Sequence, residues 1–216
     1  MPEVTPHATP QTSGASRFLQ LGTEERVPER PFTDPTHNQQ DLLLLHEMRD
    51  QLLGTLRSGR KQQEILEQGR GYHGIHIFDA VSLSEQPALA FVGFRSILRP
   101  DSPADVREEL TRIDAHLVED LRNDPEPAIF AYSSRQLDSL NWLNLVVLKD
   151  LSHMGYWQHS QHHQRASQHL SPHYYQGIRL HNGVLDTGIQ GTLRLTSTKY
   201  YDFSAGRPWL ALRSAF

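Results

Sequence analysis

The stretch "WLNLVVLKD", Trp142 to Asp150, constrains the fold more than any other part of the chain. Its length and its branched and aromatic content predict a strand. Side chains alternate across a strand, so Trp142, Val146 and Leu148 share one face while Leu143, Leu145 and Val147 share the other. Both faces are apolar. A sheet with helices on one side needs a single apolar face, and two such faces call for cover on both sides.

The flanking segments indicate what supplies the first layer. "ALAFVGFRSIL" (88–98) reads as a strand. A helix follows, with Ser102 as N-cap, Pro103 in its first position, Asp105 in its first turn, and a stripe of Val106, Leu110, Ile113, Leu117 and Leu121. "AIFAYSSRQL" is the next strand, joined to the apolar one by a polar turn at Asp138-Ser139. A His-rich helix then runs from Asp150 or Ser152 to about Leu170, where Pro172 ends it, and "TLRLTSTKYYDF" forms the last strand. The order β-α-β-β-α-β is the split, ferredoxin-like arrangement of an α+β domain. The simplest cover for its second face is the same sheet from a second copy, hence a homodimer.

Residues 1–37 are rich in Pro, Thr, Ser, Glu and Gln, and such a segment buries too little apolar surface to offset its ordering entropy. They are expected to form a flexible arm. Residues 38–70 are expected to form an amphipathic helix capped by Asn38, with a break near Ser58-Gly59 and a stripe of Leu42, Leu45, Met48, Leu52 and Leu56. The remaining residues, 71–216, hold the ferredoxin-like domain.

Composition removes several function classes. There are no cysteines, which excludes disulfides, thiolate metal sites and thiol nucleophiles. A net charge of −4 without a basic stripe argues against nucleic acid. No apolar run reaches the roughly 20 residues of a membrane-spanning helix, and no signal pattern opens the chain, so a cytoplasmic protein without membrane contact is expected. Neither a Walker loop, a GxGxxG fingerprint nor a GxSxG elbow is present.

The strand order, "WLNLVVLKD" and the following helix with Trp157 and several histidines resemble the dimeric α+β barrel superfamily over about residues 88–203. Its members include antibiotic-biosynthesis monooxygenases and haem-binding chlorite-dismutase-like proteins. The resemblance implies a homodimer and a small-molecule pocket between sheet and helices. It does not imply one chemistry, because the superfamily hosts several; an oxidoreductase of monooxygenase type is the expectation, and in the haem-binding members a helix histidine holds the haem with a polar strand residue opposite, a distal role for which Arg95 is the residue to test.

Of the thirteen histidines, seven lie between His153 and His181. On a helix, Tyr156, His159, His163, Ala166 and Leu170 share one face. An inward His159 or His163 fits either an axial haem ligand or a general base near neutral pH. An i, i+4 histidine pair also suits a metal ion, but Ser160, Gln161 and His162 stand between them where a zincin has glutamate. Tyr132, Asn144 and Trp157 are candidate substrate contacts. Tyr174, Tyr175, Arg179 and His181, ahead of a turn at Asn182-Gly183, read as a pocket rim or an interface. Three functions follow: a small-molecule enzyme of oxygenase or isomerase type, a haem enzyme, or a non-catalytic dimer that binds a metabolite or a protein through its leading helix.

Overall fold

The computed structural model describes residues 18–67, 71–153 and 160–215. It is an α+β structure built on one sheet of nine strands: β1 (Leu19–Leu21), β2 (Gln62–Glu67), β3 (Gly71–Ile77), β4 (Leu89–Leu98), β5 (Ile129–Gln136), β6 (Trp142–Leu148), β7 (Tyr175–Ile189), β8 (Leu193–Asp202) and β9 (Trp209–Ser214). Their order across the sheet is β1-β9-β8-β7-β4-β6-β5-β3-β2. All neighbours are antiparallel except β1 and β9. Nine strands exceed the four that the ferredoxin-like order requires.

Helix α1 (Pro35–Arg57) begins where Asp34 accepts the backbone N–H of Thr36 at 2.9 Å, with Pro35 in the first position. It ends before Gly59, whose φ of 71° suits a residue without Cβ. Residues 62–67, expected to continue this helix, form β2 instead. The expected cap, Asn38, lies inside the helix, and its amide donates to Tyr200 Oη at 2.7 Å.

Leu45, Met48 and Leu52 of α1 are fully buried against Phe91, Leu143, Leu145, Val147 and Ile75. The face of β6 assigned to a second subunit is therefore covered by the chain's own leading helix. The leucine stripe of this helix is thus committed to the chain's own sheet.

The opposite face of β6 packs under α3 (Ala104–Asn123), where Leu121 meets Ala90, Ile129 and Leu148, with Val92 and Val146 beside them. A second helical segment lies against α3 and comprises α4 (Gln161–Gln164), a π-helical stretch (Arg165–Leu170) and α5 (Ser171–Tyr174). Leu170 and Ala166 pack on Ile113, Leu117, Val106 and Leu110 of α3. Pro172 does not end this helix as expected. It sits in the first turn of α5, where its missing N–H costs no bond. A short helix α2 (Ala80–Glu85), capped by Asp79, bridges β3 to β4.

The part of the arm from Phe18 to Asp34 is ordered. Arg213 holds it by donating to the carbonyls of Gly22, Thr23, Glu25 and Thr33, and Leu21 packs with Tyr200 and Ala211. Residues 1–17 lie outside the described residues. Among the described residues, no helix is long and apolar enough to cross a membrane.

Candidate active site

Two polar clusters sit on opposite faces of the sheet. The first lies between the sheet and the α3 layer. Asp114 stands on α3 four residues after Leu110 and four before Val118, and it is itself solvent-exposed, at the edge of the helix face that meets the sheet. It accepts a hydrogen bond from Tyr132 Oη of β5 at 3.1 Å. Burial pushes the Asp114 carboxyl above the usual aspartate range, and the tyrosine hydrogen bond pulls it partly back. Tyr132 is 5 % exposed, and burial together with the Asp114 charge raises its phenol well above the usual value. Tyr175 is raised for the same two reasons, with Tyr174 adding to the effect. Phe94 meets Tyr175 edge-on, at 5.6 Å between ring centroids. His76 stacks between Tyr132 and Phe78, and burial lowers its imidazole. The arrangement sets one carboxyl, with a raised proton affinity, at the solvent-exposed edge of an aromatic layer of protonated phenols.

His163 belongs to this layer. The inward stripe of the α4–α5 segment is Ser160, His163, Ala166, Leu170 and Tyr174, while His162, His169 and His173 are exposed. Burial lowers the His163 imidazole, which favours the neutral base. His162 stacks on His116 of α3, with Asp120 at 3.5 Å. His153 pairs with Asp150 at 2.9 Å. His159, Trp157 and Tyr156 lie outside the described residues.

The second cluster lies under α1. Asp41 accepts from Arg179 Nε at 2.7 Å, and its Oδ2 stands 3.0 Å from His181 Nε2. Thr198 Oγ1 lies 2.9 Å from His181 Nδ1. Although burial opposes the charge, the bonds to His181 and Arg179 hold the Asp41 carboxyl down at about 2. His181 is fully buried, which lowers its imidazole even beside that carboxylate. Nearby, Arg135 pairs with Glu47 at 2.8 Å.

The predicted residues divide between these clusters. Tyr132, Asn144 and His163 are on the α3 side. Asn144 there accepts from Ser134 Oγ at 2.8 Å. Arg95 is on the α1 side, 3.6 Å from Asp41. The sheet separates it from His163, so the two cannot flank one haem, and the residues do not fit the distal and proximal pair that the resemblance implies. Arg179 and His181 are strand residues of the buried α1 cluster rather than a rim, and Asn182-Gly183 lies within β7, opposite an irregularity at Thr196 of β8, rather than in a turn. No group of three His, Asp or Glu side chains suited to a metal ion occurs among the described residues.

Asp114 and Asp41 were not singled out from the sequence. The available signal was the same in both: a carboxylate within the apolar stripe of a helix. No protein-family model matches this chain, and no curated protein or solved structure resembles it significantly.

Proposed function

We propose that the chain is an enzyme of small-molecule metabolism that moves a proton on an organic substrate in the layer between the sheet and α3. Asp114 is the proton-transfer group in this reading, Tyr132 its hydrogen-bonding partner, and His163 a second base at the helical wall. The observation that carries it is Asp114 itself. A carboxyl with raised proton affinity, hydrogen-bonded to a phenol beside aromatic rings and open to solvent, has the character of a general acid–base group. Isomerisation or cofactor-independent oxygenation of an activated carbonyl compound needs that step.

Connectivity supports the same reading. The four central strands lie in the order β7-β4-β6-β5, with α3 joining β4 to β5 and the α4–α5 segment joining β6 to β7. We read these four strands as a ferredoxin-like order within the larger sheet, for which the sheet–helix layer is the expected place for a small molecule. Because α1 fills the face that a barrel partner would take, we read the unit as complete within one chain.

The test is solvent-deuterium incorporation, followed by proton NMR, into a panel of carbonyl compounds with acidic α-hydrogens. Wild-type protein is expected to catalyse exchange for a subset of the panel, and Asp114→Asn to abolish it while retaining the wild-type circular dichroism. Exchange at the same rate in the folded Asn variant, or none above background with wild type, would sink the proposal.

A further inference from the structure

Helix α1 carries a glycine that the fold does not require. Gly54 lies within the helix, exposed, with a backbone conformation open to any residue. A Cβ built there would meet no neighbouring atom within 4 Å, so no close approach of another element explains it. Glycine is the weakest helix former after proline, and its presence here lowers the helix's own stability. Nor does it serve to end the helix. Ser58 N, Gly59 N and Arg60 N already donate to the carbonyls of Gly54, Leu56 and Thr55.

The missing side chain leaves open a concavity of about 320 Å³ between the end of α1 and β2, near the lower end of the usual range for small-molecule sites. Gln51, Gly54, Thr55 and Ser58 border it at the i, i+3, i+4, i+7 spacing of one helix face. Gln63 and Ile65 border it as alternate residues on one face of the strand, and Arg60, in the connection between the two elements, completes the wall. Its polar groups are unevenly committed. Thr55 Oγ1 donates to Gln63 Oε1 at 2.7 Å, and Ser58 Oγ donates to the Thr55 carbonyl at 2.7 Å. The Gln63 amide nitrogen and the Arg60 guanidinium bond to no described residue. Arg60 is exposed and therefore open to a solute. No carboxylate is among the residues that line the space, and Glu64 belongs to the other face of β2.

We propose that this concavity binds a small aromatic monocarboxylate, its carboxylate on Arg60 and the Gln63 amide and its ring on Gly54 and Ile65. An anion is called for because the lining supplies an uncommitted cation and an uncommitted amide donor, with no acid to balance them. One negative charge suits the place better than two, because the C-terminus of α1, the negative end of its dipole, stands beside it. A guanidinium fork meets a planar carboxylate with two parallel bonds. Helix backbone left bare at Gly54, next to the Ile65 side chain, gives a flat ring a seat that any side chain at position 54 would take. The site is on the α1 face of the sheet and does not depend on the chemistry assigned to Asp114.

The experiment is a titration of nitrogen-15-labelled protein with sodium benzoate, benzamide, sodium acetate and sodium phenyl phosphate at one ionic strength, read from the Gln63 side-chain amide and the Gly54 backbone amide. Benzoate is expected to move both resonances to saturation and to bind more tightly than the other three. Arg60→Gln is expected to weaken benzoate about tenfold, the value of a charge-assisted bond. Gly54→Leu is expected to abolish binding, read at Gln63, while raising the thermal midpoint, because leucine is a strong helix former. Lost binding then cannot be confused with lost folding. Unmoved resonances in wild type, unchanged benzoate affinity in either variant, or equal affinity for benzamide would each overturn the proposal. A preference for phenyl phosphate would overturn the assignment to a carboxylate.

Discussion

Asp41→Asn is the substitution that most directly tests how α1 is held on the sheet. The change keeps the side chain's size and removes its charge. Two buried neighbours, Arg179 at 2.7 Å and His181 at 3.0 Å, then lose their counter-ion, and Arg95 loses the nearest one it has. Removing one partner of a buried pair leaves the other uncompensated and costs about 3–5 kcal/mol. A domain of this size has roughly 5–15 kcal/mol in all, so the variant should lose a large share of its stability. The control is Asp186→Asn, whose partner Arg194 is 61 % exposed while Asp186 itself is 63 % exposed; such a pair contributes below about 1 kcal/mol. Urea unfolding followed by tryptophan fluorescence measures both. The acid limb adds a second reading. With the Asp41 carboxyl at about 2 in the fold and near 3.8 in the unfolded chain, its contribution is complete above pH 3.8 and is lost as pH falls towards 2. At about 1.4 kcal/mol per unit, that loss is about 2 kcal/mol, and it should vanish in Asp41→Asn. Equal destabilisation by the two substitutions, or an unchanged acid limb, would refute the claim that this carboxylate fastens the helix.

His181→Gln tests the other side of the same contact. Because burial lowers the His181 imidazole, the unfolded chain takes up its proton first, so stability falls as pH drops below 6.5; pH-dependent urea midpoints should show a shallower fall in the variant. Tyr132→Phe removes the bond that restrains the Asp114 carboxyl, so carbon-13 NMR of that carboxyl should show its titration moved further upward, at a cost of about 1 kcal/mol in stability. Gly183→Ala would place a Cβ 2.3 Å from the Phe91 ring and 2.4 Å from the Arg194 carbonyl, and calorimetry should register a loss of about 1–3 kcal/mol.

Periodicity made the α3, β5 and β6 elements readable, because their apolar residues repeat at the spacing of the element and nothing competes with that signal. The burial of β6 on both faces followed from the same alternation. What covers the second face did not, since a helix and a second sheet satisfy an apolar strand equally well. The 15-residue strand β7 was hidden by its own contents. Arg179, His181 and Asn182 look like loop residues, yet they face partners that only the fold supplies: Asp41 lies 138 and 140 positions away from the first two. The inward direction of His163 was legible from helix geometry. Asp114 was not, because a charge on an apolar stripe reads as the stripe's edge until Tyr132 is seen opposite it. Pro172 misled for a local reason, as the π-helical stretch before it lets the helix pass.

The way the arm and α1 are fastened also sets an order of assembly. Asn38 bonds to Tyr200, 162 residues later, and Arg213 reaches back 191 residues to Gly22. On the ribosome, α1 and the arm emerge well before the strands that bind them. Leu45, Met48 and Leu52 can rest on β3, β4 and β6 once those are made, but the polar bonds of Asn38 and of the arm wait for β8 and β9, and pairings of such long range are slow to form. The fastening of the arm and of the start of α1 is therefore a late event, completed only when β8 and β9 supply Tyr200 and Arg213.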